Sequence, residues 1–274
     1  MRVLAINDVS CIGKCSLSVT LPIISACGIT CDVLPTALLS THTGGFENYT
    51  FCDLTQNARD IIRHWKTLNV QFDVVYSGYL GNIEQIEIVA QIKREFLKKN
   101  GLFIVDPVMG DAGELYAGFS QTYVDKMREL CKTADYILPN VTEACYLSEV
   151  PYPSSGESYP TKKVMERLRA VCPRPIVTGI HQGENILVSY VNEKGDLESC
   201  SAENIEGFFY GAGDVFASAF VGCLARGKSE KEAIMLATDF TTATIRRSAK
   251  EVDDKRYGLN FEKEIFSFLK KLNA

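Results

Sequence analysis

The sequence predicts an α/β protein with a mostly parallel central sheet. Two observations predict it. Short β-branched apolar runs alternate with helical patterns of 10–18 residues, the spacing of parallel crossover units. Near residue 180 the rhythm changes, and two runs flank a tight turn instead of a helix.

The elements follow in order. Candidate strands are RVLAI (2–6), CDVLP (31–35), DVVYSG (73–78), LFIVD (102–106), YILPN (136–140) and PIVTG (175–179). Helical patterns lie at 16–27, 55–69, 82–99, 120–133 and 161–171. NILVSYV and LESCSA enclose Glu193-Lys194-Gly195-Asp196, which predicts an antiparallel hairpin at the far edge of the sheet. Helices dominate from there: Arg226-Gly227 reads as a helix stop, and Ser229 with Glu232 as the capping box of the next helix. YPSSGESYP (152–160) reads as a surface loop too short to separate domains. No repeat or low-complexity tract interrupts the chain, so residues 1–274 are expected to form one domain.

Composition excludes several classes. With 46% hydrophobic and 23% charged residues and a net charge of -5, the chain has the balance of a soluble globular protein. Lys and Arg do not cluster, so no nucleic-acid surface is expected. No run approaches the ~18 uncharged apolar residues of a membrane span, and Asp8 interrupts the first apolar run too early for a signal peptide. The expectation is a cytoplasmic protein. Its ten cysteines are scattered without a Cys-x-x-Cys pair, which predicts reduced thiols acting as small hydrophobes.

Two motifs mislead. DVSCIGKCS (8–16) sits where a phosphate-binding P-loop belongs, but Asp8 replaces its first glycine and Cys15 its hydroxyl residue. Gly211-x-Gly213 is no dinucleotide fingerprint either, because it comes late and only helices follow. What Gly211-Ala212-Gly213-Asp214 can make is an anion cradle: glycines permit a tight approach, and a helix's first turn offers unpaired N–H groups at its positive end. The dipole should also keep Asp214 ionised. A carboxylate there could take an alcohol's proton while phosphate oxygens rest on the amides, which suits phosphoryl transfer. On this segment alone, a mere helix-start residue is an equal reading.

Three strand ends shift that balance. VDPVMGD places Asp106 and Asp111 after one strand, LPNVTEA places Asn140 and Glu143 after another, and VTG places Thr178 after a third. Ligands of open parallel sheets gather beyond the strands' carboxyl ends. Carboxylates, an amide oxygen and water are the ligands magnesium prefers.

Taken together, GAGDVFASAF, DPVMGD and PNVTEA resemble the ribokinase-like (PfkB) superfamily of ATP-dependent small-molecule kinases, over about residues 2–248. SGYLG (77–81) and STHTG (40–44) narrow the resemblance to the pyridoxal/pyridoxamine kinase branch. The resemblance implies a three-layer α/β/α fold, with helices on both faces of the sheet, and ATP-dependent phosphorylation of a vitamin B6 vitamer at its 5′-hydroxymethyl group. By position, Asp214 would be the catalytic base and Gly211, Ala212 and Gly213 the anion hole. Asp106 and Glu143 would organise magnesium, with Glu143, Asp111 and Asn140 also beside the ATP phosphates, Thr178 near the nucleotide and Tyr116 on a flap over the phosphates. His42, Thr43, Tyr79 and Val108 would line the vitamer pocket. A homodimer and a stimulating monovalent cation (K⁺) are usual in the family. The chain departs from it at Asn7-Asp8, where a Gln-Ser pair is usual, and Asp8 is expected to favour a cationic vitamer or a protonated ring nitrogen. His64 and His181 are expected to be structural and Trp65 to pack. A hydroxymethylpyrimidine kinase shares the fold, and a non-catalytic vitamer or nucleotide sensor is the alternative of another class.

Overall fold

The computed structural model describes residues 1–154 and 156–274. The first strand, β1 (Arg2–Ile12), leads into α1 (Leu17–Ala26), β2 (Thr30–Thr41), β3 (Phe51–Asp53) and α2 (Thr55–Thr67). Then come β4 (Phe72–Ser77), α3 (Ile83–Phe96), β5 (Leu97–Val105) and a small hairpin, β6 (Gly110–Asp111) with β7 (Glu114–Leu115). They are followed by α4 (Gln121–Cys131), β8 (Tyr136–Ile137), α5 (Val141–Ser148) and α6 (Thr161–Leu168). The chain ends with β9 (Ile176–Gln182), β10 (Asn185–Val191), β11 (Leu197–Glu203), α7 (Ala212–Ala225), α8 (Glu230–Glu251) and α9 (Glu262–Leu272).

The main sheet has the order β3-β2-β1-β4-β5-β8, parallel except at β3. Two parallel bridges, Ile137 to Pro175 and Asn140 to Thr178, join β8 to the antiparallel sheet β9-β10-β11. The expected edge hairpin is therefore present. Strand periodicity assigns the two faces. Leu4, Ile6, Val75, Phe103, Val105 and Ile137 join the core under α2 to α6. Their neighbours Val3, Ala5, Val74, Tyr76, Ile104 and Tyr136 join the core under α1, α7, α8 and α9.

Several elements differ from expectation. β1 and β2 run well past residues 6 and 35 and stay paired out to Ile12 with Thr41, across an irregularity between Asn7 and Val9. The polar Asn7-Asp8 lies within the strand rather than after it because both side chains find partners inside the protein. The short antiparallel β3 caps the extended β2, an edge the sequence does not announce. α5 was not expected as a helix, although Asn140 and Glu143 form the same reciprocal capping box as Ser229 and Glu232.

The helix expected at 82–99 ends at Phe96, because Leu97 pairs with Phe72 and starts β5 ahead of the expected 102, and the strand expected at 136–140 ends at Ile137. α7 stops at Ala225, followed by Gly227 at φ 81°. Between α5 and α6, the expected loop at 152–160 holds no helix or strand among its described residues; Ser155 lies outside them. All ten cysteines are free thiols. Trp65 packs edge-on against Phe72 and Phe96, whereas His64 and His181 are exposed. Among the described residues, no helix is long and apolar enough to cross a membrane.

Candidate active site

Strand register puts the polar residues in one row. Ile6 pairs with Ser77, Ser77 with Val105, and Val105 with Ile137, so each chain leaves its strand at the same level. Just beyond stand Asn7, Gly78, Asp106 and Leu138, tied across by Gly78 N to Ile6 O (2.8 Å), Asp106 N to Ser77 O (2.8 Å) and Leu138 N to Val105 O (3.0 Å). Thr178 joins the row through its amide on the Pro139 carbonyl at 3.0 Å.

The mouth of α7 faces this row. Gly211 opens the helix at φ 80°, and a Cβ there would strike the Lys14 carbonyl, so two constraints demand glycine. Gly213 is different: a Cβ on it would meet no protein atom within 4 Å. The space beside the first turn of α7 is therefore open at this position, which leaves room for an anion at the helix N-terminus. Lys14 itself is turned away, its Nζ 2.9 Å from both Asn260 Oδ1 and Glu262 Oε2, in keeping with rejection of a P-loop.

Asp214 is held by two donors from β1 and the β1–α1 corner. Ser16 N donates to Oδ2 at 2.9 Å, and Asn7 Nδ2 donates to Oδ1 at 3.3 Å. The Asn7 amide oxygen accepts from Tyr79 N at 2.8 Å, and Gly78 must lack a Cβ for the Asn7 side chain to pass. Burial pushes the Asp214 carboxyl up to about 6, with Asp8 adding repulsion and the Ser16 and Asn7 donors pulling the other way. Asp214 is expected to stay ionised, and at about 6 it is mostly so at neutral pH, although burial brings it closer to protonation.

A second group gathers around Asp106, which is buried, as is Glu143. Burial raises both carboxyls, and mutual repulsion raises Asp106 further. Glu143 is committed to the backbone: Oε1 accepts from Met109 N at 3.1 Å and Oε2 from Asn140 N at 2.9 Å. Asn140 Nδ2 donates to Gly110 O at 2.8 Å. The two residues therefore fasten the base of the β6–β7 hairpin to the start of α5. That hairpin carries Asp111 and leads to Tyr116, whose hydroxyl is raised by burial and by the fields of Glu143, Asp111, Asp106 and Asp214.

The residues expected around a vitamer divide. Tyr79 is half-buried, and its hydroxyl is pushed up to about 12 by burial first and the charge of Asp8 second. His42 is buried and locked: Nδ1 accepts from Gly44 N at 3.1 Å, leaving Nε2 to donate to Arg256 O at 2.5 Å. Its ring lies 5.1 Å from that of Tyr210, one residue before the α7 mouth, so the STHTG loop and the cradle are packed together. Val108 is half-buried, and Thr43 is exposed at the loop tip. Asp8 is only 5% exposed. Ser16, which no motif singled out, touches both Asp8 and Asp214; only its place in the rejected P-loop segment hinted at it.

This geometry can be set beside known proteins. Residues 21–259 match the phosphomethylpyrimidine kinase family. The chain belongs to that family.

This phosphomethylpyrimidine kinase family member is 34% identical to a Bacteroides thetaiotaomicron protein provisionally described as a phosphomethylpyrimidine kinase and crystallised with pyridoxal, at a TM-score of 0.90 over 100% of this chain and 96% of that one. It is 30% identical to the pyridoxal kinase of Lactobacillus plantarum, at a TM-score of 0.91 over 98% of this chain and 96% of that one. The pyridoxine kinase of Bacillus subtilis is 29% identical over 190 residues, 66% of this chain and 67% of its own length. The protein is therefore a kinase of the ribokinase-like superfamily, related to pyridoxal and phosphomethylpyrimidine kinases alike.

Membership in this family implies ATP- and magnesium-dependent catalysis, and the side chains fit that requirement. Among the described residues no three His, Cys, Asp or Glu converge on a complete metal cage. Magnesium needs none when phosphates supply most of its ligands. Asp106 and Glu143 form a buried pair whose repulsion a cation would relieve. Asp106 is the better direct ligand, because the Glu143 oxygens already accept backbone N–H groups.

Proposed function

We propose that this kinase transfers the γ-phosphoryl group of ATP to the 5′-hydroxymethyl group of a vitamin B6 vitamer: pyridoxal, pyridoxamine or pyridoxine. One observation carries the reading. Asp214, titrating at about 6, lies at the mouth of a helix whose Gly213 leaves the space beside its first turn open. There Asp214 takes the proton of the acceptor hydroxyl, and the N–H groups of Gly211, Ala212 and Gly213 stabilise charge on the transferring phosphoryl. Magnesium, when bound with ATP, neutralises phosphate charge, and Asp106 with Glu143 would hold it. Asp111, Asn140 and Thr178 border the nucleotide side, and Tyr116 closes over the phosphates. Tyr79, Val108, Thr43 and His42 face the vitamer. The relatives named as pyridoxal and pyridoxine kinases support this substrate, as does the relative crystallised with pyridoxal. We also propose a homodimer, supported by the exposed Phe51 and Leu38 on the β3–β2 edge.

The family match itself favours a second reading, a hydroxymethylpyrimidine kinase. A panel of pyridoxal, pyridoxamine, pyridoxine and hydroxymethylpyrimidine with ATP and magnesium separates the two. The expected result is a kcat/KM for at least one vitamer roughly tenfold or more above that for the pyrimidine. The reverse order would assign the pyrimidine. No phosphorylated product from any of the four, with ligand binding intact, would leave a sensor.

A further inference from the structure

Ser16 is built unlike an ordinary helix start. It precedes α1 at φ 57° and ψ -132°, a region that side-chain-bearing residues rarely occupy. Serine is a preferred N-cap, yet this hydroxyl bonds no amide of α1. It donates instead to Asp8 Oδ1 at 2.5 Å. The unusual backbone turn aims Ser16 N at Asp214 Oδ2 at 2.9 Å. Asp8 is also held on its other oxygen, by Ser10 Oγ at 3.3 Å, and by its own amide turned onto Asn7 Oδ1 at 3.0 Å. Both carboxylate oxygens thus face protein hydroxyls.

We infer that Asp8 and Ser16 are positioning residues for the general base: Asp8 anchors the Ser16 hydroxyl, and the anchored backbone presents its N–H to fix the Asp214 carboxylate. This differs from the role the sequence suggests for Asp8, a direct contact to the substrate. It rests on the assignment of Asp214 as base but not on which alcohol is phosphorylated.

The anchor is needed because a residue with a Cβ resists this backbone conformation, and glycine does not. Ser16→Ala is therefore expected to lower kcat about tenfold while both KM values stay within about twofold, the signature of a displaced catalytic group. Ser16→Gly should keep kcat within about threefold of wild type, since glycine adopts the turn without its anchor. Asp8→Ala should cost about tenfold in the wild-type background and little in the Ser16→Gly background. Asp8→Asn, which retains an acceptor for the hydroxyl, should stay near wild type and keeps the test alive if Asp8→Ala does not fold. Independent, multiplying effects of Asp8→Ala and Ser16→Gly would overturn the inference. So would an Asp8→Asn variant that changes KM for one vitamer alone, since Asp8 would then touch substrate.

The Ser16 amide gives a readout that needs no turnover. Its NMR resonance should move in Asp214→Ala and Asp8→Ala and hold in Asp8→Asn. Inactivity of the wild type toward all four alcohols would refute the proposed function, whereas this amide pattern would still decide the positioning role. An Ser16 resonance indifferent to Asp8→Ala and Asp214→Ala would end it.

Discussion

As the proposed base, Asp214 would have to be ionised to accept a proton, yet it sits where burial makes ionisation costly. The balance falls at about 6. Activity should therefore be lost on the acid side: kcat/KM is expected to fall toward tenfold per pH unit below about 6, measured in steady-state assays at saturating magnesium. Asp214→Ala should lower kcat roughly 100-fold or more; near-wild-type turnover in that variant would remove the base assignment. Stability moves the other way. A carboxyl whose folded pKa lies above its unfolded value favours folding when protonated, and this advantage is lost as pH rises from about 4 through about 6. Asp214→Asn is expected to be more stable than wild type above that window, by at most about 3 kcal/mol, and to lose the advantage below it. Urea unfolding at pH 7.5 and at pH 4 compares the two. A variant less stable than wild type at the higher pH would contradict the burial penalty on which the pKa rests.

The mouth of α7 and the strand ends were the legible parts of this chain. GAGD, DPVMGD and PNVTEA carry unusual residues at strand and helix ends, where backbone geometry restricts the choice, and the sheet register brings them into one row. The long β1–β2 arm was not legible, because Asn7 and Asp8 look like a strand's end until their partners across the chain are known. Ser16 was hidden for the same reason: its partners Asp8 and Asp214 lie 8 and 198 residues away. α5 was legible in principle, since Asn140-x-x-Glu143 has the spacing recognised at Ser229-x-x-Glu232, but both residues also suit a metal. The two glycines of the mouth permit a direct test of its construction. Gly211→Ala meets both a left-handed φ and the Lys14 carbonyl, and should cost about 1–3 kcal/mol of stability as well as activity. Gly213→Ala meets no protein atom and gains helix propensity, so its Tm should match or exceed wild type while KM for ATP rises and kcat falls. Equal destabilisation by the two changes would mean that Gly213 serves the fold rather than the phosphate.

Across the molecule, the sheet's carboxyl edge collects acids whose pKa values are raised by burial: Asp8, Asp106, Glu143 and Asp214. The carboxyls that are lowered, such as Asp73, Glu95 and Glu251, lie at the surface beside lysines. Those surface groups contribute stability that is lost only as pH falls below their ordinary range near 4, so they do not change between pH 5.5 and 8. Glu143, pushed up to about 8, and Asp214, pushed up to about 6, do change there, and each one ionising removes stability. The ligand-free protein is therefore expected to melt on the order of 5 °C higher at pH 5.5 than at pH 8, against the common trend of falling stability toward acid. In the proposed function ATP, itself an anion, would meet this acidic edge at the α7 mouth and through magnesium. ADP with magnesium should consequently raise Tm more at pH 8 than at pH 5.5, because more of Glu143 is then ionised and a bound cation would offset its repulsion with Asp106. ADP with a chelator should raise it little at either pH. Thermal melts in these six conditions decide the matter: a ligand-free Tm that rises toward pH 8, or an ADP shift indifferent to the chelator, would show that the buried acids are not the cation-dependent centre of this protein.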